Sequence, residues 1–398
     1  METPTPRPRP PRSRPIIHSL NLRYLLIPPI LLTVLTALVL FQHSDTNIVM
    51  LYSQCHARSR LPFLSQKIPL LGPPLCFLVS FFQLSAASLR SSALLSIILS
   101  FLSGLLTVST VESSRICNAP SILIAYPTGP WLIFDLIGGA FVWELVILPA
   151  FFHRSREIII ASRKDPAAAA AAAAGPAQDS SRRGETRTTR HLTKTAETVA
   201  IPLAVAIGFV LPSVLFLTVD DSPATVLVWL LFPVWVSLIR QAVRKVLGRL
   251  SLALEAERWQ WQETLHLESN KLALVGMYAV PIACSVASHI FLIWSLTQQD
   301  DRKEMTRSTV KFIVIDAFFV GLTVLYWIFV EAGWQVALVM VVTSVVLGPG
   351  AGISLAWIYR EQTFSPDRGS VTVVAVGAPR GSDDDSSSRP SEHTPLLR

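Results

Sequence analysis

Long apolar stretches separated by short polar segments run along most of this chain. A helix that crosses a membrane needs about 20 mostly apolar residues, and nine stretches approach that length. They cover residues 24–41, 68–84, 93–111, 131–152, 199–219, 225–239, 272–296, 310–330 and 334–359. The sixth is short, and only Glu331, Ala332 and Gly333 separate the last two. The pattern therefore predicts eight or nine transmembrane helices.

The fold class follows from the same pattern. A backbone inside hydrocarbon must satisfy its hydrogen bonds internally, which a helix does and an isolated strand does not. The sequence therefore predicts an all-α integral membrane protein, a polytopic helical bundle.

Polar segments divide this bundle into parts. Residues 1–23 form a basic, proline-rich arm, and residues 24–152 form a first half of four helices. Residues 153–198 form a cytosolic, alanine-rich linker, and residues 360–398 form a polar tail. Their compositions favour disorder in the arm, linker and tail. The second half covers residues 199–359. Within it, residues 240–270 have the amphipathic pattern of an interfacial helix, although an extension of a membrane helix fits this segment equally well.

Composition and charge agree with a membrane protein. Of 398 residues, 51% are hydrophobic and 15% are charged, whereas soluble domains carry about 25% charged residues. The net charge of +7 comes mostly from the arm, the linker and the segment after residue 239. The positive-inside rule places all three in the cytosol. No nucleic-acid-binding motif accompanies this charge, so nucleic acid is not an expected partner. A multi-pass protein of the endoplasmic reticulum membrane, in contact with lipid, is expected.

Two acids, Asp135 and Glu144, lie inside the apolar stretch 131–152. A carboxyl group in hydrocarbon is costly, so it usually faces a bundle interior and marks a functional site. Nine residues separate the two acids. On one straight helix they would face opposite sides, about 13 Å apart along the axis, and could not form a carboxyl pair.

Depth along the predicted helices suggests partners for these acids. Asp135, His289 and Asp316 fall in one layer towards the lumen. Glu144 falls deeper, with Trp143, Tyr278, Tyr326 and Trp327 at similar depth. Structural explanations compete: Asp316 could bond at the interface, and His289 could join two helices by a hydrogen bond.

An acid in apolar, aromatic surroundings favours cation chemistry. Burial favours the protonated carboxyl, which can act as a general acid. Aromatic faces stabilise a nearby cation. Such a site can protonate an epoxide or an alkene and guide cyclisation of the carbocation, without a metal or a redox cofactor. The candidate catalytic residues are Glu144, Asp135, Asp316 and His289. The candidate substrate-binding residues are Trp143, Phe141, Tyr326, Trp327 and Tyr278.

Several stretches resemble a known family. The block FDLIGGAFVWELVILPAFF at residues 134–152, residues 200–216 and 228–238, and the group Ala287, His289 and Ile290 are similar to fungal membrane-bound terpene cyclases of the ascochlorin/ascofuranone type. The resemblance implies cyclisation of a prenylated, sometimes epoxidised, meroterpenoid intermediate. An epoxidase or a prenyltransferase would supply that substrate. The resemblance assigns no catalytic residue, so the roles above rest on the physical argument.

Two other functions compete with the cyclase. Intramembrane acids also relay protons or bind cationic substrates in transporters and channels. Against this alternative, the sequence shows no obvious internal repeat and no helices broken in matching positions. A non-enzymatic membrane scaffold is the third possibility.

Overall fold

The computed structural model describes residues 16–18, 20–43, 49, 51, 53, 72–164, 192–219, 222–253 and 270–364. Most of the basic arm, most of the linker, residues 254–269 and the tail from residue 365 lie outside the described residues. Within the described part the secondary structure is helical, with one isolated bridge between Arg115 and Leu192.

Fifteen α-helices form the described part of the chain. Two of them continue through a π-helical turn, at Trp143–Ile147 and at Ala206–Val210. The helices are α1 (Leu22–His43), α2 (Gly72–Ser85), α3 (Leu89–Ser113), α4 (Ile122–Ala125), α5 (Thr128–Ile137), α6 (Gly139–Val142), α7 (Leu148–Lys164), α8 (Glu197–Val205), α9 (Leu211–Thr218), α10 (Pro223–Leu230), α11 (Phe232–Ala253), α12 (Lys271–Leu296), α13 (Glu304–Ala332), α14 (Trp334–Leu347) and α15 (Pro349–Phe364).

Five described helices are long and apolar enough to cross a membrane. They are α1, α3, α12, α13 and the continuous helix Glu197–Thr218. The bent pair α10 and α11, with 60° between its parts, would make a sixth. The protein is therefore a helical membrane protein, but the count of eight or nine spans is not supported. Of the other predicted spans, 68–84 contains a helix of only 14 residues, Gly72–Ser85. The predicted spans 131–152 and 334–359 each fold back on themselves.

The predicted span 131–152 is a hairpin, which we call the first hairpin (residues 128–164). On a straight helix Trp131 and Trp143 would lie about 18 Å apart along the axis, yet their ring centroids are 6.2 Å apart. The chain reverses at Gly138, where φ is 120°, a value that glycine adopts without strain. Both arms return to the end of α3, because Trp131 bonds Ser109 and Arg154 bonds the Cys117 carbonyl.

The predicted span 334–359 is also a hairpin, the second hairpin (residues 334–364). It reverses at Gly348, where φ is 92°. Its arms α14 and α15 pack closely, since a Cβ on Gly352 would overlap the Ser344 side chain. Arg360 in α15 reaches back to Glu331 at the end of α13. This hairpin therefore enters and leaves at one end of the bundle.

The two hairpins occupy matching positions. The first hairpin comes after α3, and the second follows α13. The tip of the first hairpin packs against α13, and the tip of the second packs against α3. Asp316 of α13 bonds the first tip, and Ser100 of α3 lies against Gly350 in the second. Asp316 and Ser100 each lie near the middle of their helices. The structure thus contains a repeated arrangement that the sequence analysis judged absent.

Both hairpins open at the same end of the bundle, where Arg115, Arg154, Arg240 and Arg360 lie. We call this the basic end. Helix α11 continues without a break to Ala253 at this end, so residues 240–253 extend that helix. The rest of the predicted interfacial helix lies outside the described residues.

Candidate active site

Glu144 is completely buried between the first hairpin, α1 and α13. The Thr36 hydroxyl donates a hydrogen bond of 3.0 Å to its Oε1, whereas Oε2 has no hydrogen-bond partner. Among the described residues, no cation lies within ion-pair distance of it. An ionised carboxylate without a cation is very costly in such surroundings, so this environment favours a protonated Glu144.

Two further hydroxyls lie near the Glu144 carboxyl. Thr33 and Thr323 stand beside it. Each also lies within hydrogen-bond distance of a backbone carbonyl, that of Pro29 at 2.9 Å and that of Phe319 at 2.8 Å. Together with Thr36, three threonine hydroxyls therefore surround the Glu144 carboxyl.

The backbone carrying Glu144 is itself unusual. Residues Trp143–Ile147 form a π-helical turn, a local widening that is frequent at functional sites. The turn begins four residues after the start of α6, so the tip of the first hairpin controls the placement of Glu144. No local sequence rule would have indicated this turn.

Asp316 holds that tip. Its Oδ2 accepts a hydrogen bond from the Gly139 amide at 2.9 Å, and its Oδ1 accepts one from the Ala140 amide at 3.0 Å. These amides begin a helix and have no partner within it, and the helix dipole favours a carboxylate there. Asp316 is thus a capping residue supplied by another helix, and it lies close enough to Glu144 to interact electrostatically.

Asp135 lies on the other arm of the tip, three residues before Gly138. Its side chain is half-buried, and its Oδ2 has no hydrogen-bond partner. Because the chain reverses at Gly138, the predicted separation along one straight helix does not apply. The tip thus carries Asp135 on one arm and Glu144 on the other, and Asp316 binds between them at Gly139 and Ala140.

Aromatic rings form a column from the first hairpin towards the basic end. The ring centroids of Trp143 and Trp327 are 6.0 Å apart, and those of Trp327 and Trp357 are 4.7 Å apart. Phe151 lies 4.4 Å from Trp327. The indole nitrogens of all three tryptophans are buried without a partner. The predicted pair Trp143 and Trp327 therefore meets, and Trp357 is an addition that the sequence analysis missed.

The other predicted aromatic residues have separate surroundings. The Tyr326 hydroxyl donates to the Leu25 carbonyl at 3.0 Å, which ties α13 to α1. Phe141 packs near Gly138 at the tip. Tyr278 is buried at the basic end, beside Arg115, Glu361 and their partners.

His289 lies apart from this region. It is half-buried on α12, where its Cβ borders Gly348 at the tip of the second hairpin. The structure thus divides the predicted layer of Asp135, His289 and Asp316 between two tips. No described contact joins His289 to Glu144.

A buried network of charges closes the basic end. Arg360 pairs with Glu112 and Glu361, each at 3.0 Å, and with Glu331. Arg115 pairs with Glu361 at 2.8 Å and with Glu112 at 3.1 Å. The sequence analysis missed this network, because its members come from the ends of α3, α13 and α15. Glu331, which separates two predicted spans in the sequence, belongs to this network, and only 7% of it is exposed.

No cluster of three or more His, Cys, Asp or Glu residues suited to a metal ion occurs among the described residues.

Comparison with known proteins gives one match. The model of a family described as the CtvD domain matches residues 30–300, more than half of the chain. No curated protein and no solved structure matches. The matched range includes the whole first hairpin and His289, and it ends before Asp316 and the second hairpin.

Proposed function

The chain belongs to the CtvD domain family, which is associated with fungal meroterpenoid biosynthetic clusters, and from that premise we propose that it is a membrane-bound terpene cyclase. Its substrate is a prenylated meroterpenoid intermediate that carries an epoxide or an alkene. The observation that carries the proposal is Glu144, a buried carboxyl that no described cation neutralises, beside a column of indole rings.

In the proposed reaction Glu144 transfers its proton from Oε2 to the epoxide oxygen or to an alkene carbon. The epoxide C–O bond, or the alkene π bond, breaks and leaves a carbocation. A second double bond of the prenyl chain attacks this cation and forms a C–C bond. Loss of a proton from the cyclised cation to the Glu144 carboxylate ends the sequence and restores the acid. No atom is gained or lost, so the product is an isomer of the substrate.

The surrounding residues have supporting roles. Trp143 and Trp327 present indole faces to the cation. Asp316 is a positioning residue, because it fixes the tip from which the π-helical turn starts. Exclusion of water from this region prevents early capture of the cation.

The test is cyclisation by the full-length protein in microsomes that receive a farnesylated phenol with a terminal epoxide. An isomer of unchanged mass is expected. Glu144→Gln should lower its rate about 10²- to 10⁴-fold, the usual contribution of general acid catalysis. Glu304→Gln, which removes an exposed carboxyl at the start of α13, is the control and should retain full activity. Full cyclisation by Glu144→Gln would overturn the assignment of the acid.

A proton-coupled transporter is the second candidate, and the repeated arrangement favours it. Parallel repeats and broken helices that meet in the middle of the membrane are typical of transporters. The parallel order of the two hairpins supports this candidate, because each tip packs near the middle of a long helix. Proton-coupled uptake of a small molecule by reconstituted vesicles, lost in Glu144→Gln and without formation of an isomer, would favour transport over cyclisation.

A further inference from the structure

A cavity that Glu144 does not line opens at the basic end. Its volume is about 830 Å³. Its walls are the end of α3, the start of α5, the segment that contains Lys194, and α11 from Pro233 to Arg249. None of the predicted catalytic residues lines it.

Basic side chains form the charged part of the lining of this cavity. Helix α11 contributes Arg240, Arg244, Lys245 and Arg249, and Lys194 faces them from the segment before α8. No described acid is among the lining residues. Lys194, Lys245 and Arg249 have no ion-pair partner among the described residues. The cavity therefore holds an excess of positive charge.

One buried acid orients part of this charge. Glu197, which is completely buried, pairs with Arg240 at 2.8 Å and with Arg244 at 3.1 Å. Arg240 also donates to the Ser113 hydroxyl at 3.0 Å. Two guanidinium groups are thus fixed in place before a ligand arrives, which lowers the entropy lost on binding.

The deeper part of the cavity is apolar. Leu106, Trp131 and Val236 line it, and all three are buried. The Trp131 indole is held by a hydrogen bond of 3.0 Å to Ser109. A cationic mouth above an apolar floor matches an amphiphile with an anionic head.

We propose that this cavity binds the phosphate or diphosphate head of an amphiphile. Lys194, Lys245 and Arg249 bind the phosphate oxygens directly, and Arg244 offers guanidinium hydrogens that match phosphate geometry. The apolar floor receives the first part of the hydrocarbon chain. The site lies at the end of the α3 span, where phosphate groups of a bilayer lie.

The experiment measures binding to the purified full-length protein in nanodiscs made of phosphatidylcholine. Inorganic pyrophosphate is added in one arm, with calorimetry as the readout. In the second arm the nanodiscs contain phosphatidate, and native mass spectrometry counts the lipid retained. Both arms use the double variant Lys245→Gln, Arg249→Gln, which removes two exposed cations that have no ion-pair partner in the described part of the chain. Protein folding should therefore be preserved.

The matched control is Arg23→Gln, Lys271→Gln. It also removes one exposed arginine and one exposed lysine near the basic end, but neither lines the cavity. The Lys245, Arg249 variant should weaken binding about tenfold to a hundredfold, because it removes two cations that bind the phosphate oxygens. The control should change binding less than about twofold.

The arms also identify the source of the phosphate. Binding of pyrophosphate would show a soluble phosphate ligand, and retention of phosphatidate alone would show a lipid head. In either case the Lys245, Arg249 variant must weaken the binding that is observed. Two results would overturn the proposal. One is no binding in either arm, and the other is equal weakening by both variants, which would indicate general attraction to a basic surface.

Discussion

The first and second hairpins share a backbone design and differ in how they treat buried acids. Both reverse at a glycine with positive φ, and both open at the basic end. In the first, the buried Glu144 has a hydroxyl partner and no described cation. In the second, the buried Glu361 is paired with Arg115 and Arg360. The first hairpin therefore holds an acid without a described cation near the middle of the bundle. The second hairpin holds an ion-paired acid at the basic end.

This difference separates a candidate site from a structural element. When one member of a buried ion pair is removed, the other member is left buried without its counter-charge, and the fold is destabilised. A buried acid without a cation has no such partner, and its retention calls for a chemical role. The comparison predicts that stability depends on the charges of the second hairpin and activity on those of the first.

The largest effect on stability is expected from Arg360→Met. Glu112, Glu331 and Glu361 would lose their shared cation, and breaking a buried ion pair costs about 3–5 kcal/mol. Thermal unfolding in detergent measures this loss. Glu144→Gln, which breaks no ion pair, should change the free energy of unfolding by less than about 1 kcal/mol. Equal destabilisation by both variants would remove the distinction between the hairpins.

Asp316→Ala should have the next largest effect. The Gly139 and Ala140 amides would lose their acceptor, and each buried amide left unpaired costs about 1–3 kcal/mol. Because the tip places Glu144, the reaction rate should fall as well. Asp316→Asn retains one carbonyl acceptor and should recover part of both losses. A variant with Ala at this position that unfolds and reacts like the native protein would contradict the capping role.

Gly350→Ala and Gly139→Ala, one at each tip, should lower the free energy of unfolding by similar amounts. A Cβ on Gly350 would overlap the Ser100 carbonyl oxygen, and a Cβ on Gly139 would overlap the Phe134 ring. Overpacking of this kind costs about 1–3 kcal/mol. Gly321→Ala on α13 is the control, since no neighbouring atom lies within 4 Å of a Cβ there. It should be neutral or slightly stabilising by thermal unfolding.

The smallest effect concerns a cap outside the membrane. Asp301 accepts hydrogen bonds from the Leu89 amide at 2.7 Å and the Arg90 amide at 3.3 Å, at the start of α3. Partial burial would raise the pKa of Asp301, but these hydrogen bonds outweigh it and lower the pKa below its ordinary value. Asp301→Ala should cost about 0.5–1 kcal/mol, because the cap is exposed to water.

The pH dependence of that cap follows from the direction of the shift. A lowered pKa in the folded state means that the carboxylate stabilises the fold above its unfolded value of about 3.9. This contribution is lost as the pH falls through the lower, folded value. Melting curves of the native protein and of Asp301→Ala should therefore differ at pH 7 and converge at acidic pH. A constant difference at all pH values would contradict the assignment.

The sequence predicted the long single helices well and the hairpins poorly. The five helices that can cross a membrane all lie within predicted stretches or extend them by a few residues. The stretches 131–152 and 334–359 are equally apolar, yet each turns back at its middle. Local signals were present in Gly138 with Gly139 and in Gly348 with Pro349 and Gly350, because such residues mark turns. The prediction of continuous spans followed hydropathy and did not use these turn signals.

The candidate site was predicted in part. Glu144, Asp135 and Asp316 were selected because ionisable side chains in an apolar stretch are unusual, and Trp143 was selected as an aromatic face at the depth of Glu144. The structure brings Asp316 close to Glu144, but it gives Asp316 a capping contact and moves His289 to the other tip. Depth along separate helices could not reveal which helices are neighbours.

By itself, the sequence determined that this chain is a helical membrane protein with acids inside its apolar segments, because length and hydropathy fix those properties locally. Only the tertiary structure decided which segments cross and which turn back. A reversal inside the bundle leaves backbone amides unpaired, and here the acceptor for Gly139 comes from Asp316, 177 residues away. A contact of that range depends on how α13 packs, and no local pattern encodes it.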